Sequence, residues 1–166
     1  MIKMGDLEKI SERLEVSMAE PVAPARVHHF IAYCDGGALD NQKVNGESIG
    51  YGSFIIEIPS RGFVSPQKRI SYGPGFTNNE AEYRAIINAL EMIRDVIQAE
   101  GARTSAYNVL IMTDSQLVIG HMTLGWRVKA ANLISYRQQL AGAVDWFGNV
   151  DFNKISGEKM KEILGH

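Results

Sequence analysis

Cysteine is almost absent from the chain: Cys34 is the only one in 166 residues. That excludes an intramolecular disulfide and a cysteine-based zinc site, and a lone thiol fits a reducing compartment. Long apolar runs are missing too. No window approaches the ~20 apolar residues that a membrane-spanning helix needs. Lys3, Asp6 and Glu8 interrupt the start of the chain too early for a signal peptide. We therefore expect a soluble, cytoplasmic protein with no membrane partner. An excess of either charge is also lacking, with 17 Lys and Arg against 19 Asp and Glu and a formal net charge of −2. Such a balance does not advertise a binder of polyanions. Any nucleic-acid contact must be argued from where the charges sit.

What is present is ordinary globular material. A hydrophobic fraction of 45% is enough for a real core, and the length suits one compact domain plus an extension. Leu7, Ile10, Leu14 and Met18 fall at helical spacing among Glu8, Glu12 and Glu15, and Pro21 and Pro24 end that pattern. Residues 1–27 thus read as an appended helix and linker, and residues 28–166 as the compact domain. The extension lacks clustered basic and aromatic residues, so a dispensable or packing role is its plainest reading.

From Phe30 the pattern predicts a strand to Cys34, a polar loop over Asp40 to Ser48, and a second strand from Ile49 to Ile58. The turn Pro59-Ser60-Arg61-Gly62 leads to a third strand, Val64 to Tyr72. Asn78 to Ala99 reads as the longest helix and Tyr107 to Met112 as a short buried strand. Helices follow at Ser115 to Leu124 and Lys129 to Val144, then a strand from Asn149 to Ile155 and a short helix from Glu158 to Leu164. Three strands joined by turns, then alternating helices and strands, imply an α/β fold with a mixed sheet covered by helices.

Three acids stand out. Asp35 ends the first predicted strand in Tyr33-Cys34-Asp35-Gly36-Gly37, where two glycines leave room for a backbone or phosphate; a turn aspartate is the alternative. In Thr77-Asn78-Asn79-Glu80, Thr77 and Glu80 form a capping box, which gives Glu80 a structural task. Glu82 instead precedes Ile86, Ala89, Leu90, Ile93 and Ile97 on the buried face. A carboxylate there must be paired, protonated or metal-bound, a salt bridge being the alternative. Asp114 follows the apolar Val109-Leu110-Ile111-Met112, where a central strand meets a helix; it or Ser115 can also serve as a helix cap. Converging at one sheet edge, the three would offer only oxygen ligands, suited to Mg2+ or Mn2+. Two such ions activate water and stabilise the leaving oxygen of a phosphodiester.

These segments resemble the type 1 ribonuclease H family: Tyr-Cys-Asp-Gly-Gly at 33–37, Thr-Asn-Asn-Glu-Ala-Glu-Tyr at 77–83, and Thr-Asp-Ser-Gln-Leu-Val at 113–118. Trp126-Arg127-Val128-Lys129, leading into a helix with Leu133, also fits, and the similarity spans about residues 29–155. The resemblance implies a ribonuclease H-like, five-stranded mixed sheet, three antiparallel strands then parallel ones, flanked by helices. It implies an endonuclease that hydrolyses the RNA strand of RNA–DNA hybrids with two metal ions. Asp35 would bridge both ions, with Asp114 on the nucleophile side and Glu82 on the other. Gly36, Gly37, Thr77, Asn78, Asn79 and Gln116 would lie against the hybrid, the amides reading RNA 2′-hydroxyls. The family's fourth carboxylate, an aspartate after the last strand, is missing from residues 155–166. Glu158, Glu162 and His166 are the substitutes on offer; Glu158 sits nearest the strand end. The family's loop histidine for product release has no clear match either, so slow turnover or a Mn2+ preference would fit.

Between Asp114 and Asp145 no acid occurs, while Arg127, Lys129 and Arg137 do, with His121 beside them. A local basic stretch is what tracking a nucleic-acid backbone requires, and Trp126 is placed to pack on a DNA sugar. Solvation of a loop is the plain alternative for Arg127 and Lys129. We expect a monomer without an organic cofactor. Two other functions compete: a nuclease of the same fold with another nucleic-acid substrate, and a catalytically weak binding module. Exonucleases of that superfamily start with Asp-x-Glu, whereas this chain has Asp35-Gly36-Gly37. A binding module would have no use for three clustered negative charges, which repel phosphate.

Overall fold

The computed structural model describes residues 26–44 and 46–165, without the side chains of 40–44. The expected N-terminal helix, and His166 as a candidate ligand, lie outside the described residues. Six strands form one sheet: β1 (Phe30–Val44), β2 (Glu47–Ile58), β3 (Phe63–Val64), β4 (Lys68–Pro74), β5 (Asn108–Thr113) and β6 (Asn149–Lys154). Four helices flank it: α1 (Asn78–Ala99), α2 (Gln116–Thr123), α3 (Ala131–Val144) and α4 (Gly157–Leu164). The strands lie in the order β3-β2-β1-β5-β6, with β4 also on β2. β1 is antiparallel to β2 and parallel to β5, and β5 is parallel to β6. The mixed α/β architecture expected from the pattern is the one observed.

Two details differ from expectation. The third strand is divided, giving six strands rather than five. Pro66 has no N–H for the ladder, and side chains take over: the Ile56 N–H donates to Ser65 Oγ at 2.9 Å, and Gln67 Nε2 donates to Ser53 Oγ at 2.6 Å. The first strand, in turn, does not end at Cys34. It runs on to Val44, so the first half of the expected polar loop is strand, with an irregular register between Leu39 and Val44. Asp35 pairs with Ser53, and Gly36 with Gly52, inside the sheet.

The core forms where the alternating apolar positions of the sheet meet α1. Ala32, Cys34, Phe54, Val109 and Ile111 are buried against Ile86, Leu90, Ile93 and Ile97. At about 1.5–3 kcal/mol for each large apolar side chain removed from water, this face holds α1 against β1. Its N-terminal turn is thereby fixed over the middle of that strand. No helix among the described residues is long and apolar enough to cross a membrane.

Candidate active site

Gly36 sets the distance between the sheet and the first turn of α1. A Cβ on it would lie 2.2 Å from the Ala81 carbonyl oxygen and 2.7 Å from the Glu82 nitrogen. The strand's missing side chain is filled by helix backbone, which brings Glu82 in toward Asp35. The sequence reading left that room for a backbone or phosphate; a helix backbone occupies it. Asn78 Oδ1 accepts from the Ala38 N–H at 2.7 Å and ties the same turn to β1. Thr77 caps α1 as expected, accepting from the Glu80 N–H at 3.2 Å. The Glu80 side chain accepts from Asn132 Nδ2 at 2.6 Å, so the structural task it performs is a tie to α3.

Asp114 follows β5, whose Thr113 is in register with Cys34 of β1, so Asp114 just past the end of β5 and Asp35 within β1 stand at the same level of neighbouring strands. Both line one cavity of about 290 Å3. Glu82 does not line it. Its Oε2 accepts from Ser115 Oγ at 2.6 Å, while Ser115 Oγ also accepts from the Val118 N–H at 3.3 Å as the cap of α2. The capping role offered for Asp114 or Ser115 therefore belongs to Ser115, which leaves Asp114 free of it.

Like charges and burial strain this arrangement. Burial pushes the Glu82 carboxyl from an ordinary 4.5 up to about 7, with the Ser115 hydrogen bond opposing and Asp114 and Asp35 adding to the rise. Burial, then Asp35, also raises Asp114, against the pull of Lys154. Asp114 Oδ1 is buried and has no hydrogen-bond partner. A bare buried carboxylate oxygen is costly, and a divalent cation would satisfy it. Among the described residues, no three His, Cys, Asp or Glu side chains are gathered into a ready cage for a single ion. The donor set nevertheless fits a hard cation: it is all oxygen, mutually repelling, and includes one unpartnered atom.

A consequence for stability follows in chelator. The folded chain holds the Glu82 proton to about pH 7 and the unfolded chain releases it near 4.5. Folded stability should thus fall as pH rises between those values, by up to about 3 kcal/mol. Denaturant unfolding at pH 5 and pH 8 should show this loss in the wild type. Glu82→Gln should remove it.

The other predicted residues separate into groups. Asn79, Trp126, Arg127 and Lys129 line a second cavity of about 450 Å3 between α1, α2 and α3. Trp126 is 43% exposed and lies on Gly120 of α2, where a Cβ would meet its ring at 2.0 Å. Gln116 is exposed at the start of α2. Gly37 lies under the Tyr51 ring, 3.0 Å from where its own Cβ would be. His121 does not add to the basic stretch. It is buried against Tyr83, whose hydroxyl is 2.6 Å from Nδ1, and burial and Arg137 lower its pKa.

The last helix departs furthest from expectation. Glu158 and Glu162 are exposed, and α4 contributes Gly157, Met160 and Lys161 to the carboxylate cavity. The Gly157 Cβ position is 3.5 Å from Asp114 Oδ2, so the closest approach of this helix carries no side chain. Sequence reading also missed Ser115 as the partner of Glu82, and Tyr51, Arg69 and Lys161 as cavity residues. Only the pairing of β2 with β1 and β4 would have marked Tyr51 and Arg69.

The family model for RNase H matches residues 28–158, a span that includes all three acids. No curated protein sequence matches significantly. Among solved structures, the chain is similar to RNase H1 from the halophilic archaeon Halobacterium salinarum, with 21% identity, a TM-score of 0.62, and coverage of 81% of this chain and 92% of that one. It is also similar to LC11-RNase H1 in complex with an RNA/DNA hybrid, with 24% identity, a TM-score of 0.65, and coverage of 82% and 94%. The N-terminal RNase H domain of a Mycobacterium tuberculosis protein gives 20% identity, a TM-score of 0.61, and coverage of 80% and 90%. At these identities the structures establish a common fold, and with the family match over most of its length, the chain belongs to the RNase H family.

Proposed function

We propose that this protein is an endonuclease that hydrolyses the RNA strand of RNA–DNA hybrids, using two Mg2+ or Mn2+ ions held by Asp35, Glu82 and Asp114. The observation that carries this reading is the buried, unpartnered Asp114 Oδ1 beside Asp35, with a Glu82 carboxyl driven up to about 7 by burial and by both aspartates. Burial, together with the charges of acids distant in the chain, raises the proton affinity of Glu82 and Asp114 in a way that bound cations relieve. Such ions would supply activation of the attacking water and stabilisation of the leaving oxygen.

The chain's own residues orient the duplex. With Asn78 Oδ1 engaged by β1, its amide N–H groups remain to donate toward RNA hydroxyls or phosphates. Asn79 and Gln116 add further neutral amides suited to 2′-hydroxyl recognition. Trp126, fixed on Gly120, offers an apolar face to a sugar, and Arg127 and Lys129 beside it take phosphates of the DNA strand. We assign α4 no carboxylate ligand.

A second reading, a nucleic-acid-binding module with weak catalysis, is favoured by one observation: α4 presents Lys161 to the cavity instead of an acid. A labelled hybrid incubated with Mg2+ or Mn2+ separates the two. Cleavage confined to the RNA strand, and slower on double-stranded RNA and DNA, is expected. Tight, salt-sensitive binding with an intact hybrid under both metals would favour the second reading.

A further inference from the structure

Beyond the carboxylates, the same cavity has a cationic wall. Asp35, Ser53 and Arg69 are directly paired across β1, β2 and β4, so their side chains share one face of the sheet. Tyr51, two residues from Ser53, lies on that face also. Its ring covers Gly37, its hydroxyl donates to Asp35 Oδ2 at 3.4 Å, and the Arg69 guanidinium carbon is 5.0 Å from its centroid. Asp35, Tyr51, Arg69 and Asp114 all line the cavity of about 290 Å3. Among the described residues Arg69 makes no ion pair, although it is exposed beside two aspartates.

We propose that Arg69 is a nucleic-acid contact, binding a backbone phosphate next to the one at the carboxylates, and that Tyr51 is the positioning residue that holds it there. The inference rests on the nuclease reading above and adds a residue to it. Two strand spacings, roughly 10 Å, separate the Arg69 and Asp35 backbones, so the guanidinium meets a neighbouring phosphate. A planar guanidinium offers the paired donors a phosphate accepts, and resting over an aromatic face reduces the rotamer freedom lost on binding. Arg69 also offsets the repulsion that three carboxylates exert on an approaching backbone, within the Debye length of about 8–10 Å. This places a phosphate contact on the β4 and α4 side of the acids, in a cavity apart from the one that holds Trp126, Arg127 and Lys129.

The test is equilibrium binding of a short RNA–DNA hybrid in EDTA, from 50 to 200 mM KCl, for wild type, Arg69→Gln, Tyr51→Phe and Tyr51→Leu. Loss of one phosphate contact lowers the slope of log affinity on log salt by about 0.9. The Arg69→Gln deficit should therefore be about threefold larger at the low-salt end. Tyr51→Phe keeps the ring and should keep the wild-type slope, while Tyr51→Leu should move toward that of Arg69→Gln. Arg69 is exposed, so Arg69→Gln tests the proposal even if Tyr51→Leu folds poorly. A wild-type slope in Arg69→Gln, in a protein that cleaves hybrid, overturns this inference and leaves the nuclease reading standing. If wild type cleaves no hybrid but Arg69→Gln still flattens the slope on double-stranded DNA, the contact stands and the nuclease reading falls. Failure of wild type to bind either duplex removes both.

Discussion

Asp35→Asn should lower hybrid cleavage by at least about 10²–10³-fold with either Mg2+ or Mn2+, the scale of losing one electrostatic element aimed at transition-state charge. The fold should survive unharmed. Asn matches Asp in shape, and Asp35 lies inside the β1–β2 ladder, whose backbone pairing with Ser53 the substitution does not touch. Removing one of three mutually repelling charges should also lower the Glu82 pKa from about 7, since Asp35 contributes to that rise. In chelator the variant should bind hybrid at least as tightly as wild type, because one repulsion toward phosphate is gone. The combination to look for is lost cleavage, retained melting temperature and undiminished metal-free affinity. Wild-type cleavage by Asp35→Asn would remove Asp35 from the reaction and with it the assignment built on the three acids.

Gly36→Ala should be far more damaging than the size of a methyl group suggests. Its Cβ would fall 2.2 Å from the Ala81 oxygen, 2.5 Å from the Ala81 carbon and 2.7 Å from the Glu82 nitrogen, all of them backbone atoms. No rotamer change relieves that overlap. Either α1 lifts from β1 or the strand distorts, and Ala81, Ala85 and Ala89, all fully buried, leave the helix no slack. Overpacking of this kind costs about 3 kcal/mol or more, or about 10 °C in melting temperature for a chain of this size. Cleavage should fall further than stability accounts for, because the displaced turn carries Glu82. Gly142→Ala is the matched control. It adds the same methyl within α3 with nothing in 4 Å, and should stabilise by roughly 0.5–1 kcal/mol through helix propensity alone. Thermal unfolding of both variants beside activity measured well below their transitions would check the pair.

The reach of local pattern is clear in particular elements. α1 was readable end to end, because Thr77 announces a cap and Ile86, Leu90, Ile93 and Ile97 repeat at the helical period. Both are effects within one turn or a few turns of chain. The division of the third strand was not readable, since it depends on Ser65 and Gln67 substituting for ladder bonds against residues of β2. Nor was the length of β1: a polar stretch looks like a loop until a partner strand satisfies its backbone. His121, placed among basic residues by its neighbours in sequence, is buried against Tyr83 from another helix.

The three acids and the amides around them were visible as residue types in ordered motifs, and so was the α/β class, since hydrophobic period and capping chemistry are properties of short segments. Which groups share an environment is a matter of distant contacts. Packing of α1 on Gly36, the Ser115–Glu82 hydrogen bond, the orphaned Asp114 oxygen, the Arg69–Tyr51 pair and the arrival of Lys161 in place of Glu158 all arise from chain segments meeting across the sheet. Burial and Coulomb interaction depend on separation in space, which sequence order does not encode.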